Sequence, residues 1–197
     1  AFEINSNAVL NLVKLSEKFQ LRLIHISTDY VFDGKSKSAI KEDKKTKPIG
    51  VYGISKLKGE EHILNSKSNS IIIRTSWLYS QYKSNFVKTI IDLSTKKNTI
   101  NVVSDQIGSP TYARDLAKAC LDILFNYPVI NINGSVYHYS NIGSLSWFTF
   151  AKTIVEYIES DCLVLPVKSI DFKTLAERPK YSVLCKNKIQ KDFNIII

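Results

Sequence analysis

Apolar residues recur along this chain with two periods that take turns. Ile4, Ala8, Leu12, Leu15 and Phe19 fall at helical spacing. The next apolar run, Leu21 to Ser27 (LRLIHIS), reads as a buried strand. Residues 28–47 are polar, with Asp33-Gly34 as a turn signal and many lysines before Pro48. Pro48 suits the start of a helix that reaches Asn65. Ser70 to Thr75 (SIIIRT) predicts a second buried strand. Residues 84–97 read as a helix and residues 100–103 as a short strand. Gly108-Ser109-Pro110 breaks the chain before a helix over residues 112–125. A strand follows at residues 136–139, and Ser144 is placed to cap a helix that ends at Glu159. Leu163 to Val167 predicts a late strand, and Lys186 to Phe193 a short helix.

Strands that alternate with helices of about ten residues or more predict an α/β fold with a mainly parallel sheet. Ligands of such sheets sit beyond the carboxyl ends of the strands. The segments just after Ser27 and Thr75 are therefore the first places to look for chemistry.

Composition narrows the function classes. Apolar residues make up 44% and charged residues 23% of the 197, ordinary values for a globular protein. No apolar run approaches the length of a membrane span, which argues against a membrane partner. Cys120, Cys162 and Cys185 are scattered and odd in number, with no CxxC pair. That speaks against a disulfide framework and a zinc site, and suits a reducing cytoplasm. The formal charge of +9 comes mostly from dispersed lysines, the mark of a solvated surface that also attracts anionic ligands. Nucleic acid is disfavoured, because no basic stripe with interleaved aromatics occurs. His25, His62 and His138 read as structural, since no pair has metal-ligand spacing.

Candidate chemistry lies in two places. The first strand delivers Thr28 to its carboxyl end, and Tyr52 and Lys56 stand four apart in VYGISK. On a helix that spacing puts both on one face. An ammonium beside a phenol favours the phenolate and lowers the phenol's pKa. A phenol so tuned can exchange a proton with a carbonyl or alcohol oxygen that Thr28 also holds, as a carbonyl reductase with a nicotinamide requires. The pair alone is a weak signal. With ten tyrosines in the chain, about one such pair is expected by chance. Tyr79 and Lys83 form a second pair, in a segment that reads as loop. Only Tyr52 follows a helix-starting proline and a strand ending in Ser27-Thr28.

Four runs taken together are far more specific: ISTDYVFDG (Ile26 to Gly34), VYGISKLKGE (Val51 to Glu60), RTSWLYS (Arg74 to Ser80) and VSDQIGSPTYARDLA (Val103 to Ala117). In order and spacing they resemble the dTDP-4-dehydrorhamnose reductases, extended short-chain dehydrogenase/reductases. The resemblance implies a Rossmann-like doubly wound sheet. A catalytic domain would span residues 1–103, and a mainly substrate-binding region residues 104–197, with elements that return to the sheet. It implies that NADPH or NADH reduces the C4 keto group of a dTDP sugar, in a cytoplasmic enzyme compatible with a homodimer. It casts Thr28, Tyr52 and Lys56 as the catalytic triad. Ser27, Tyr52, Lys56 and Thr75 would meet the cofactor. Asp29, Tyr30, Val31, Trp77, Asn85, Gln106, Thr111 and Arg178 would meet the substrate. A related nucleotide-sugar reductase or epimerase, and a non-catalytic regulatory subunit of the same fold, are the competing readings.

The dinucleotide fingerprint is absent. Gly50, Gly53 and Gly59 form no GxGxxG after a strand. The chain has no methionine and opens within a helical pattern. The resemblance implies that about the first quarter of the family's length, with the first strands of the sheet and their glycine loop, precedes Ala1. Weak NAD(P)H binding and an unpaired edge on the first strand are the expected consequences.

Overall fold

A computed structural model describes residues 1–127, 134–172 and 176–197. A π-helical turn, Glu3–Asn7, runs straight into α1, Ala8–Phe19. Next come β1 (Leu23–Thr28), a 3₁₀ turn (Asp29–Val31), α2 (Val51–Leu64) and β2 (Ser70–Thr75). β3 (Leu78–Tyr79), α3 (Phe86–Lys96), β4 (Thr99–Val103) and β5 (Ile107–Gly108) follow. β6 (Thr111–Tyr112), α4 (Ala113–Asn126), β7 (Ser135–His138) and β8 (Leu145–Ser146) lead to α5 (Trp147–Tyr157). β9 (Leu163–Val167) and α6 (Asn187–Phe193) complete the chain.

The main sheet has the order β1-β2-β7, and both pairings are parallel. β2 is central and buried at every position. Its side chains divide between two cores, as the strand period of two demands. Ile72 meets Val9, Val13 and Ile63 under α1 and α2. Ile71 and Ile73 meet Leu116, Ala119, Ile123, Ile189 and Phe193 under α4 and α6. Helices therefore cover both faces, as parallel sheets require. The halves of the chain interleave: β7 returns to the main sheet, and β4 pairs with β9 in parallel over a third core of α3 and α5 residues.

Three expectations need correction. The stripe Ile4, Leu12, Leu15 and Phe19 is not the inner face of α1, since these residues are between 46% and 77% exposed. Val9, Val13 and Ser16 face inward instead. That face packs on Ile63 and Ile72, and α2 comes close enough that a Cβ on Gly59 would touch Val9. The helix cap at the start of α5 is Ser146, whose Oγ accepts from the Thr149 N–H at 3.0 Å, and not Ser144. Tyr79 lies in β3, which pairs with β6, and not in a loop.

α2 owes its seat to glycine. It buries Gly53, Ser55, Gly59, Glu60 and Ile63 instead of a broad apolar stripe. A Cβ on Gly53 would collide with the Tyr30 carbonyl oxygen, and one on Gly59 with the Asn5 carbonyl oxygen. Gly→Ala inside a helix ordinarily stabilises by about 0.5–1 kcal/mol. Here overpacking opposes it and costs about 1–3 kcal/mol. Gly53→Ala should therefore lower the urea midpoint of unfolding instead of raising it. A raised midpoint would show that the contact is soft.

Candidate active site

Thr28 ends β1 and begins the 3₁₀ turn. Its Oγ1 accepts from the Tyr30 N–H at 3.2 Å and donates to Asp29 Oδ1 at 3.1 Å. Tyr52 sits in the first turn of α2, and the residue is 49% exposed. The Tyr30 ring meets it edge-on at 5.6 Å. The Thr28 hydroxyl favours the ionised form of the Tyr52 phenol, but burial outweighs this and the Asp29 charge adds to burial. The phenol's pKa is raised above its ordinary value.

Lys56 follows one turn later. Its Nζ donates to the Ile26 carbonyl at 2.6 Å and lies 3.5 Å from His25 Nε2. Burial lowers the ammonium's pKa, and Glu60 partly restores it. One of the three ammonium protons is thus directed at the strand backbone, and burial is the first cause of the shift at the phenol. The same ammonium, second to burial, pushes His25 down to about 4 and keeps that ring neutral. His138, wholly buried, is depressed to about 3 for the same first reason. Both rings are structural, and no cluster of three metal-ligating side chains occurs among the described residues.

Behind the triad lies a buried ion pair that sequence reasoning passed over. Glu60 and Arg74 are 0% and 3% exposed. Arg74 Nε reaches Glu60 Oε1 at 2.9 Å and Nη2 reaches Oε2 at 2.6 Å, a bidentate fork. Ser27 Oγ donates to the same carboxylate, and the Phe32 ring lies 5.1 Å from the guanidinium. The pair ties α2 to β1 and β2. Its signal in the sequence was the charge of Arg74 inside the otherwise uncharged strand SIIIRT.

A cleft of about 1190 Å³ opens beside these elements. Phe86, Val102, Gln106, Trp147, Ser169 and Arg178 are among its lining residues. Gln106 Nε2 donates to Ser169 Oγ at 3.1 Å, and Asp105 accepts from the same hydroxyl at 2.6 Å. The Arg178 charge acts on Tyr30 and opposes the rise in its pKa that burial causes. Asp33, Gly34 and Ile49, from the segment between Tyr30 and Tyr52, also line the cleft.

Trp77 does not line the cleft. It stacks on Trp147, with ring centroids 3.4 Å apart and planes at 8°, and Trp147 forms the wall. Its backbone is in the left-handed region, φ +47°, rare for a bulky residue. Gly108 makes room for it, since a Cβ there would run into the indole. Trp147 was legible only as a helix residue.

Other expected contacts are engaged elsewhere. Ser27 faces Glu60, and Thr75 Oγ1 meets Thr111 Oγ1 at 3.4 Å with both residues buried. Val31 is 0% exposed within a core of Phe32, Ile40 and Leu184, so its side chain is packing and not a sugar contact. Asn85 caps α3: its Oδ1 accepts from the Lys88 N–H and its Nδ2 donates to the Ser80 carbonyl. Asp29 is 2% exposed, and its Oδ1 accepts from the Thr28 hydroxyl.

A doubly wound parallel sheet with threonine, tyrosine and lysine at its carboxyl end is the layout of the extended short-chain dehydrogenase/reductase class. Within it, this chain belongs to the RmlD substrate binding domain family, whose description matches residues 1–197. It is 41% identical to a spore coat polysaccharide biosynthesis protein, SpsK, of Bacillus subtilis, over 97% of this chain and 65% of that one. It is 37% identical to a dTDP-4-dehydrorhamnose reductase of Aggregatibacter actinomycetemcomitans, over 99% and 69%. The structure superposes on a dTDP-4-dehydrorhamnose reductase of Bacillus anthracis in complex with NADP with a TM-score of 0.88 and 41% identity, covering 95% of this chain and 65% of that one. The chain thus spans about two thirds of the length of these relatives.

Proposed function

We propose that this chain carries the substrate-binding and proton-donating parts of an NAD(P)H-dependent reductase that acts on the C4 keto group of a dTDP-4-keto-6-deoxy sugar such as dTDP-4-dehydrorhamnose. The observation that carries this reading is the Tyr52 phenol edge-on to Tyr30, with the segment between these two tyrosines lining, through Asp33, Gly34 and Ile49, a cleft large enough for a nucleotide sugar. The names of the Aggregatibacter and Bacillus anthracis relatives support it.

The nicotinamide end of the cofactor fits the residues present. Lys56 and Tyr52 lie on one face of α2 beyond the carboxyl end of β1, where a ribose hydroxyl would find an ammonium. Ser27 and Thr75 fit less well, because their hydroxyls already have protein partners. When bound, the reduced nicotinamide supplies the hydride that reaches C4. Tyr52 gives its proton to the C4 oxygen, and its raised pKa keeps that proton in place until the oxygen gains charge. Arg178 faces the diphosphate, and Gln106, fixed by Ser169, lies on the nucleotide side. Three free thiols suit a reducing compartment such as the cytoplasm.

The chain's two tryptophans, Trp77 and Trp147, report on the cleft. Titration with dTDP-rhamnose should change the indole fluorescence and saturate, with dTDP alone weaker and free rhamnose silent. No change with any nucleotide sugar would remove the substrate assignment.

A further inference from the structure

The carboxyl ends of β4 and β9 are clipped together on the cleft wall. The two strands run in register as far as Val103 and Val167, and the Ser104 N–H still reaches the Val167 carbonyl at 2.9 Å. Just beyond, Asp105 Oδ1 accepts twice from Ser169, from its N–H at 2.9 Å and from its hydroxyl at 2.6 Å. The Ser169 hydroxyl oxygen in turn accepts from Gln106 Nε2 at 3.1 Å.

Only one arrangement of protons satisfies this chain of contacts. A carboxylate accepts and never donates, and a serine hydroxyl has a single proton. Burial by itself would raise the Asp105 carboxyl, but the Ser169 hydroxyl and N–H outweigh it and hold the group below its ordinary range, ionised at neutral pH. The Ser169 proton therefore belongs to Asp105. The Ser169 oxygen can then only accept, so Gln106 turns its NH₂ toward it and its carbonyl away. The shape of an amide alone does not decide which end goes where, because its oxygen and nitrogen ends are nearly the same size.

Gln106 is 7% exposed and lines the cleft, and among the described residues its Oε1 accepts no hydrogen bond. A carbonyl oxygen fixed in this way selects a donor and is a poor neighbour for a diphosphate. The wall near it is apolar and aromatic, with Val102, Trp147, Ile170 and Phe172, and the last two are exposed. A flat ligand group with an N–H on its edge suits such a wall. Thymine and uracil are groups of this kind, because each sets a carbonyl beside its N3–H. Gln106 keeps one N–H beside its free carbonyl, and an amide so placed can pair twice with a base edge.

We propose that Gln106 reads the N3–H edge of the nucleotide's base, and that Asp105, acting through Ser169, is a positioning residue that fixes which way round the Gln106 amide lies. The cleft thereby selects thymine or uracil and rejects cytosine, whose N3 is an acceptor and whose C4 substituent is a donor. This rests on the nucleotide-sugar reading of the cleft and deepens it.

Calorimetric titration of the chain with dTDP, dUDP and dCDP at neutral pH tests it. The parent should prefer dTDP and dUDP over dCDP by about tenfold or more, the usual worth of a matched amide–base pair. Ser169→Ala removes the constraint on the amide, and the preference should fall below about threefold, since stacking alone tolerates any base. Asp105→Ala should do the same. Asp105→Asn should keep the preference, because the Ser169 N–H still demands an acceptor at Oδ1 and the hydroxyl finds it there. A role for Asp105 in folding alone would instead weaken all three nucleotides together, and that result would overturn the proposal. So would a parent that binds dTDP and dCDP alike, or a Ser169→Ala chain with its full preference. Each of these leaves the nucleotide-sugar reading standing, whereas silence toward all three nucleotides would overturn both.

Discussion

Glu60→Gln should cost about 3–5 kcal/mol of folding stability, the usual loss when one member of a buried ion pair is removed. The amide keeps the shape of the side chain and can accept from Ser27, but it leaves the Arg74 charge uncompensated in a site only 3% exposed. Other partners are poor substitutes. Among the described residues Arg74 Nη1 has only the Glu42 carbonyl at 3.5 Å, and Phe32 offers a ring face. At about 2–4 °C per kcal/mol for a domain of this size, the melting temperature should drop by about 10 °C. The paired variant Glu60→Leu with Arg74→Met should recover most of the loss, because desolvation is no longer charged against either ion. Calorimetric melting of the three proteins checks this. A Glu60→Gln protein melting within a degree or two of the parent would mean that water reaches the pair.

The second large effect is on rate. In the intact enzyme, Tyr52→Phe should lower turnover by roughly a hundredfold to ten-thousandfold, the contribution of a positioned general acid. Nucleotide-sugar binding should barely change, since one hydroxyl is a small part of the contact and the cleft residues that would meet the nucleotide are untouched. The fold should hold as well, because Tyr52 is 49% exposed and its contact with Tyr30 is retained by phenylalanine. Reduction followed by loss of dinucleotide absorbance, with binding measured separately, distinguishes the two outcomes. Turnover near the parent value would place the proton donor elsewhere.

Elements with a strong local signal were legible in the sequence. β2 and β9 fall where SIIIRT and LVLPV place them, because short β-branched runs bounded by polar residues admit few alternatives. The placement of Thr28 at the end of β1 and of Tyr52 and Lys56 one turn apart on α2 was legible through motif order. Other features depend on contacts between distant segments. The inner face of α1 was misjudged because Leu12, Leu15 and Phe19 are larger than Val9 and Val13, and periodicity counts size without knowing what lies opposite. The Glu60–Arg74 fork joins residues 14 positions apart across a helix and a strand. The direction of the Lys56 ammonium toward Ile26 depends on backbone geometry that spacing does not encode.

The way α2 is held has a thermal consequence. Glycine-to-carbonyl contact and an ion pair set its position, and little large apolar surface is removed from water along it. The attraction between apolar surfaces fades on cooling, whereas hard contact and a desolvated charge pair depend on temperature in other ways. Near freezing, the packing of α4 and α6 on the opposite face of the sheet should soften before the helix that carries Tyr52 shifts.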